Sequence, residues 1–352
     1  MLATGKGRVK RFLLVGPVLV SAALWGCDRS SATGAATPTP VIIRQRRPIM
    51  GTDVTVSVVL ADPDRADSAM ATAFAPIDAV NQRMSTYIPD SELMQMNRTA
   101  HEVPVPISRD LHRALAASDA ISKLTDGAFD VTCGPIIDLW RSAGRAGRVP
   151  TAAEREAVLK RCGHAKMHVD AEAGTVRFDM AGMKVNLGAV AKGYAVDQAV
   201  KALREAGYEN ALVEAGGDLM AAGAAPGGRP WRVGVQDPRD PDHPTLIATI
   251  AVRDRAVVTS GNYRRFTEIG GTRYSHIVDP RTAMPVDALP SVTVIAADAT
   301  TADALATAVS VLGLERGMNL IESRPETECL LVTIDADRLV LHRSSGFARY
   351  EE

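Results

Sequence analysis

From Ala211 to its C-terminus the chain is a succession of short β-type segments, and no other feature restricts its fold as much. "ALVEA", "WRVGVQ", "IATIAV", "SVTVIAA", "CLLVTI" and "RLVLH" each end at Gly, Pro or Asp. Those separations suit hairpins rather than the long crossovers that parallel strands need. Two helices interrupt them. The first is expected from about Ala189 to Gly207, with Val196, Val200 and Leu203 inward. The second is expected from about Thr301 to Gly313, with Leu305, Val309 and Leu312 inward. The pattern predicts an α+β fold with mostly antiparallel sheets flanked by helices.

The first half is more helical. "DVTVSVVL" alternates Val54, Val56, Val58 and Leu60 with polar residues and reads as a strand. Met70, Phe74, Ile77 and Met84 then fit helical spacing, with Pro76 expected to break or kink the segment. In "ISRDLHRALAASDAISKLTDG", Leu111, Leu115, Ile121 and Leu124 share a face, Ser108 can cap the start and Gly127 the end. The 352 residues suffice for one large domain, expected over 44–352, and show no internal repeat.

The N-terminus reads as a leader. "MLATGKGRVKR" is basic, and "FLLVGPVLVSAALWG" is apolar but shorter than a spanning helix and interrupted at Gly16-Pro17. It ends in "LWGC", which resembles a bacterial lipobox, so residues 1–27 are expected to be a signal peptide ending at a lipidated Cys27. Trp25 is bulkier than that pattern prefers, which keeps plain secretion open. Asp28 resembles the signal that retains lipoproteins in the inner membrane. The expected location is the bacterial cell envelope, lipid-anchored on the periplasmic face of that membrane. Residues 28–43, small and polar with prolines, read as a flexible tether.

Charge and cysteine content narrow the function classes. A formal net charge of -1 leaves no overall basic field to recruit nucleic acid. Cys133, Cys162 and Cys329 are not at metal-ligand spacing, and either one disulfide with a free thiol or three buried thiols would fit.

Five stretches can carry chemistry. In "VNLGAVAKGYAVD", Gly188 and Ala189 allow close backbone approach at a helix start, and Lys192 adds a cation that suits phosphate; close packing with a solvated lysine explains the same letters. In "DATTADALATAVSVLG", Asp303 and Thr307 share a helical face, roughly opposite Leu305, Val309 and Leu312. Their oxygens could meet a hard cation such as magnesium, or serve only as helix-start partners. His276 in "YSHIVDPRTAMPV" stands at the end of a strand-like run, as a general base or a satisfied core histidine. Gly127, Phe129 and Asp130 in "TDGAFDVTCGPIIDLW" could hold a ring and its polar edge, or form a helix cap followed by a buried Phe. The "EAGGDL" turn, Glu214 to Leu219, is either a hairpin with positive-φ glycines or a backbone cradle for phosphate.

Taken together and in order, these stretches resemble the ApbE family of FAD:protein FMN transferases. The resemblance runs from about Met50 to the last strands through "MGTDVTV", "MSTYIPDSEL", "GAFDVTCGPIIDLW", "VNLGAVAKGYAVD", "VEAGGDL", "WRVGVQDP", "TSGNYRRF", "YSHIVDPRTAMPV" and "DATTADALATA". It implies magnesium-dependent transfer of FMN from FAD to a Thr or Ser hydroxyl of an acceptor flavoprotein, with release of AMP. The implied acceptors are membrane redox complexes or secreted flavoproteins with a short Thr-containing motif.

By position, the resemblance makes Met50, Tyr87, Ala128, Phe129, Asp130, Asn186, Lys192 and Val278 the FAD contacts. It makes the Ala189 carbonyl, Asp303 and Thr307 the metal site, and His276 the catalytic histidine. The chain departs from the family at Asn186, where Asp is usual, which bears on FAD affinity or nucleotide preference and not on the metal. Two alternatives use the same pocket: an FAD pyrophosphatase yielding FMN and AMP, and a non-catalytic FAD-binding lipoprotein.

Overall fold

In the computed structural model, residues 39–240, 245–261, 266–336 and 338–352 are described. Eight strands form the main sheet: β1 (Val41–Ile49), β2 (Thr52–Leu60), β3 (Ala211–Ala215), β4 (Asp218–Ala222), β5 (Arg255–Gly261), β6 (Ser291–Ala296), β7 (Glu328–Asp335) and β8 (Arg338–Arg343). Their spatial order follows chain order, and every neighbouring pair is antiparallel. The sheet is therefore a meander, with everything else inserted between its turns.

The insertion between β2 and β3 holds six helices: α1 (Ala66–Met84), α2 (Glu92–Thr99), α3 (Arg109–Leu124), α4 (Gly134–Arg145), α5 (Ala152–Leu159) and α6 (Ala191–Glu205). A hairpin of Trp231–Gln236 with Leu246–Val252 separates β4 from β5, and α7 (Ala299–Glu322) separates β6 from β7. The two-residue period of the strands sorts side chains onto two covered faces. Val56, Val213, Val258, Val294 and Leu331 pack in one cluster with Phe74, Val196, Leu203, Leu305 and Val309. Leu219, Val257, Ile295 and Leu330 face the hairpin's Trp231, Val235, Ile250 and Val252, with Phe347 beside them. Burial on both faces explains why the central strands read as apolar runs rather than clean alternations.

The helix at "ISRDLHRALAASDAISKLTDG" forms with Ser108 as its N-cap, its hydroxyl accepting from the Leu111 N–H at 3.3 Å. Leu124 is exposed, not inward, because it lies in the last turn, beyond the helix's contact with the core. α1 runs through Pro76 without ending there. Met70, Phe74, Ile77 and Met84 are buried on both sides of the proline, and that packing outweighs the one missing N–H. β1 opens at Val41, so Arg44 lies within this strand. β1 carries arginines at three of its nine positions and pairs only with β2, so as an edge strand it shows no apolar alternation. The helix expected from Ala189 starts at Ala191, after a turn, and α7 continues beyond Gly313, which is itself non-helical at φ 77° and ψ -175°. The expected signal peptide, Cys27 and residues 262–265 of "TSGNYRRF" lie outside the described residues.

Candidate functional site

The glycine- and alanine-rich segment before α6 is pinned from two sides. Asn97 brackets Val185, donating to its carbonyl at 2.9 Å and accepting from its N–H at 2.8 Å, while the Asn186 N–H donates to the Val131 carbonyl at 2.7 Å. The Asn186 Oδ1 accepts from the Gly188 N–H at 2.9 Å, so this side chain turns the chain toward the helix. An aspartate would make the same contact. Gly193, in the first turn of α6, lies against the start of α7: a Cβ there would stand 2.2 Å from the Ala299 carbonyl oxygen. Only glycine lets the two helix N-termini meet this closely.

That approach assembles three buried charges. The Lys192 ammonium donates to Asp218, which opens β4, and to Asp303 of α7 at 3.5 Å; the Gly193 N–H donates to the same Asp303 oxygen at 3.3 Å. All three side chains are largely sequestered, Asp218 and Asp303 at 3 % side-chain exposure and Lys192 at 17 %. Burial opposes the ammonium, but the charges of Asp218 and Asp303 outweigh it and hold Lys192 above its ordinary range. Burial and the neighbouring Asp303 push the Asp218 carboxyl well up, against the pull of Lys192. At the α6 N-terminus the Gly193 N–H is thus met by a carboxylate of the chain itself.

Asp218 was not singled out from the sequence. Its "EAGGDL" turn is the hairpin of the two readings: Gly216 and Gly217 take φ 61° and 101°, Ala215 pairs with Asp218, and the Gly217 N–H donates to Glu214 at 2.8 Å. The available signal was an acid opening a strand, "DLMAA", whose five residues are all buried.

The expected metal donors are hard oxygens, which suits magnesium. Asp303 sits in a cluster that carries one negative charge in excess when all three groups are ionised. Ser310 donates to the Ala306 carbonyl at 2.8 Å, whereas among the described residues no such bond engages the Thr307 hydroxyl. Among the described residues no group of three or more His, Cys, Asp and Glu side chains could hold a metal. The donor chemistry fits the ion.

The "TDGAFD" segment follows α3 through Gly127, whose φ of 70° and N–H bond to the Ser122 carbonyl at 3.0 Å close the helix. Ala128 and Phe129 are buried. Asp130 accepts from the Thr132 N–H and hydroxyl and from the His164 N–H, each at 2.7 Å. Burial raises its carboxyl and those bonds oppose the rise; both oxygens tie two loops together. Ala128 packs with Ile277 and with Val311, one turn beyond Thr307. The next residue, Val278, packs with Ile136 and Trp140, and Trp140 donates to the Ala283 carbonyl at 2.8 Å.

His276 therefore stands on a loop anchored on both sides, in a bend between Thr272–Ser275 and Val278–Asp279, and its side chain is exposed. This excludes the core-histidine reading. Met50 has φ 57° in the two-residue turn between β1 and β2, with its side chain packed against the core. Tyr87 is 79 % exposed, and its hydroxyl accepts from Arg141 at 3.1 Å. The structure thus joins Lys192 to Asp303 directly, and links Ala128 to the His276 loop and α7 by packing. For Met50 and Tyr87 it records neighbours outside the expected set.

The profile of the ApbE family matches residues 50–331 of the chain. The FAD:protein FMN transferase of Vibrio cholerae is 35 % identical over 303 residues, covering 85 % of this chain and 90 % of the relative. That of Salmonella typhimurium is 33 % identical over 303 residues, covering 85 % and 86 %. Among solved structures, the flavin transferase ApbE from Vibrio cholerae superimposes with a TM-score of 0.78 at 31 % identity, covering 88 % of this chain and 99 % of that one. The Thermotoga maritima ApbE protein gives 0.79 at 33 %, covering 89 % and 100 %.

Proposed function

The chain belongs to the ApbE family, and from that membership we propose that it is a transferase that moves the FMN half of FAD onto a protein. The observation that carries this reading is the family match across residues 50–331, which spans every block that contributes to the site. The acceptor is a Thr or Ser hydroxyl of a flavoprotein. Its oxygen attacks the phosphorus on the FMN side of the pyrophosphate, the bridging P–O bond breaks, and AMP leaves with the electron pair.

Such a reaction asks the protein for positioning and charge neutralisation more than for covalent chemistry. Lys192, beside Asp303 at the α6 start, supplies a cation to the pyrophosphate. His276 takes the proton from the acceptor hydroxyl. Its exposure supports that role, because the base must be reached by a hydroxyl carried on another macromolecule. The Ala189 carbonyl, Asp303 and Thr307 are the donors that would hold Mg²⁺, whose chemistry when bound is to neutralise charge on the pyrophosphate. Met50, Tyr87, Ala128, Phe129, Asp130, Asn186 and Val278 complete the FAD contacts in this reading; Asp130 serves by holding its loop, since its oxygens are engaged internally. The leader-like N-terminus supports a lipid-anchored location in the cell envelope.

The test incubates the full chain with FAD, Mg²⁺ and an acceptor flavoprotein, and reads acceptor mass together with AMP. An FMN-sized gain matched by AMP is expected. Free FMN with AMP would make the protein a pyrophosphatase, and retained FAD without AMP would make it a binding protein.

A further inference from the structure

Lys192 is not shared equally between its two carboxylates. It is in closer contact with Asp218, while Asp303 receives only long contacts, at 3.5 Å from Lys192 and 3.3 Å from the Gly193 N–H. Hydrogen bonds of that length lie at the weak end of the range. A carboxylate that must give an oxygen to a cation cannot be committed to a tight internal ion pair, and in a buried site the lysine is the nearest competitor for it. Asp218 comes from a different element, the first residue of β4, and its backbone is fixed by pairing with Ala215 and Val258.

We propose that Asp218 is a positioning residue that holds Lys192 off Asp303, leaving Asp303 free for a divalent cation while the ammonium stays beside it for the substrate pyrophosphate. The inference rests on the function proposed above. Without the Asp218 charge, Asp303 is the only carboxylate left in the triad for Lys192. The ammonium then closes on it and competes with the metal. Shortening one buried ion pair from 3.5 Å to ordinary contact is worth about a tenfold change in cation affinity at the effective dielectric of such sites.

The experiment measures Mg²⁺ binding alone, without FAD, by titration calorimetry on the full chain and its variants, with circular dichroism as the folding control. Asp218→Asn is expected to weaken Mg²⁺ binding about tenfold. The double variant Asp218→Asn with Lys192→Met removes the competitor together with its holder, and its affinity is expected to return to within about threefold of wild type. A double variant as weak as Asp218→Asn would make Asp218 a direct ligand or a purely structural residue and overturn the proposal, as would an Asp218→Asn that binds like wild type. Should Asp218→Asn fail to fold, the double variant decides alone. A wild-type chain that binds no Mg²⁺ would overturn the magnesium part of the functional reading with it, whereas binding that ignores Asp218 would leave that reading intact.

Discussion

A buried lysine between two carboxylates is stable only as a complete set, because each charge in it has lost its water. Lys192→Ala leaves Asp218 and Asp303 facing each other uncompensated, and is expected to destabilise the chain by about 3–5 kcal/mol in urea unfolding. A loss below about 1 kcal/mol would mean that solvent already reaches the cluster. His276 makes the opposite prediction. It is exposed on a loop anchored by Ile277 and Val278, so His276→Ala should leave the unfolding midpoint unchanged and FAD retained, and lower transfer about a hundredfold or more. Wild-type turnover by that variant would remove His276 from the mechanism. His276, Asp303 and Lys192 were all legible as chemistry-bearing residue types in small-residue or turn contexts. Asp218 was not, because an acid after Gly-Gly is what any hairpin contains, and its partner lies 26 residues away in sequence.

At the level of elements, the site depends on how α6 and α7 start. Replacing a helical glycine by alanine ordinarily gains up to about 1 kcal/mol of helix propensity. At Gly193 the new Cβ would fall 2.2 Å from the Ala299 carbonyl oxygen and 2.6 Å from its carbon, against backbone that has nowhere to move. Gly193→Ala should therefore lose about 2 kcal/mol or more of stability, read as a lower unfolding midpoint. A more stable Gly193→Ala would show that the helices can slide apart. The α7 N-terminus is held by two carboxylates: its own Asp298, accepting from the Thr301 N–H at 2.7 Å, and Asp197 of α6, accepting from the Ala299 and Thr300 N–H groups at 2.8 Å each. Asp197→Ala should cost about 1–2 kcal/mol, the size of a lost cap, measurable as a lower unfolding midpoint. An unchanged midpoint would mean that Asp298 caps the helix unaided.

Across the whole molecule, the three described cysteines are free thiols, Cys162 and Cys329 buried and Cys133 partly so. Burial pushes the Cys162 and Cys329 thiols up to about 12, from an ordinary value of 9.0. Both should resist alkylation in the native protein at pH 8 and react fully in guanidinium. In the unfolded chain they ionise near 9.0, whereas the folded chain keeps the protons until about 12. Below pH 9 they contribute no pH dependence, and stability falls as pH rises from 9 toward 12. Paired Cys162→Ala and Cys329→Ala substitutions should flatten that fall in urea midpoints taken at pH 8 and pH 10.5. A wild-type slope in the paired variant would assign it to other groups.

The antiparallel α+β architecture was readable from the sequence because hairpin spacing and helical periodicity are local: strand period, turn residues and caps act within a few residues of one another. The Ser108 cap, the apolar faces of α6 and the first half of α7, and five of the eight main-sheet strands follow from such short-range rules. The family's motifs, too, are contiguous strings. Tertiary structure alone decided the rest. β1 exists because β2 offers it an edge, α1 survives Pro76 because both its halves are buried, and Asp218 meets Lys192 because a meander sheet carries β4 to the start of α6. Each of these depends on a long-range partner supplying energy or charge that no local pattern encodes.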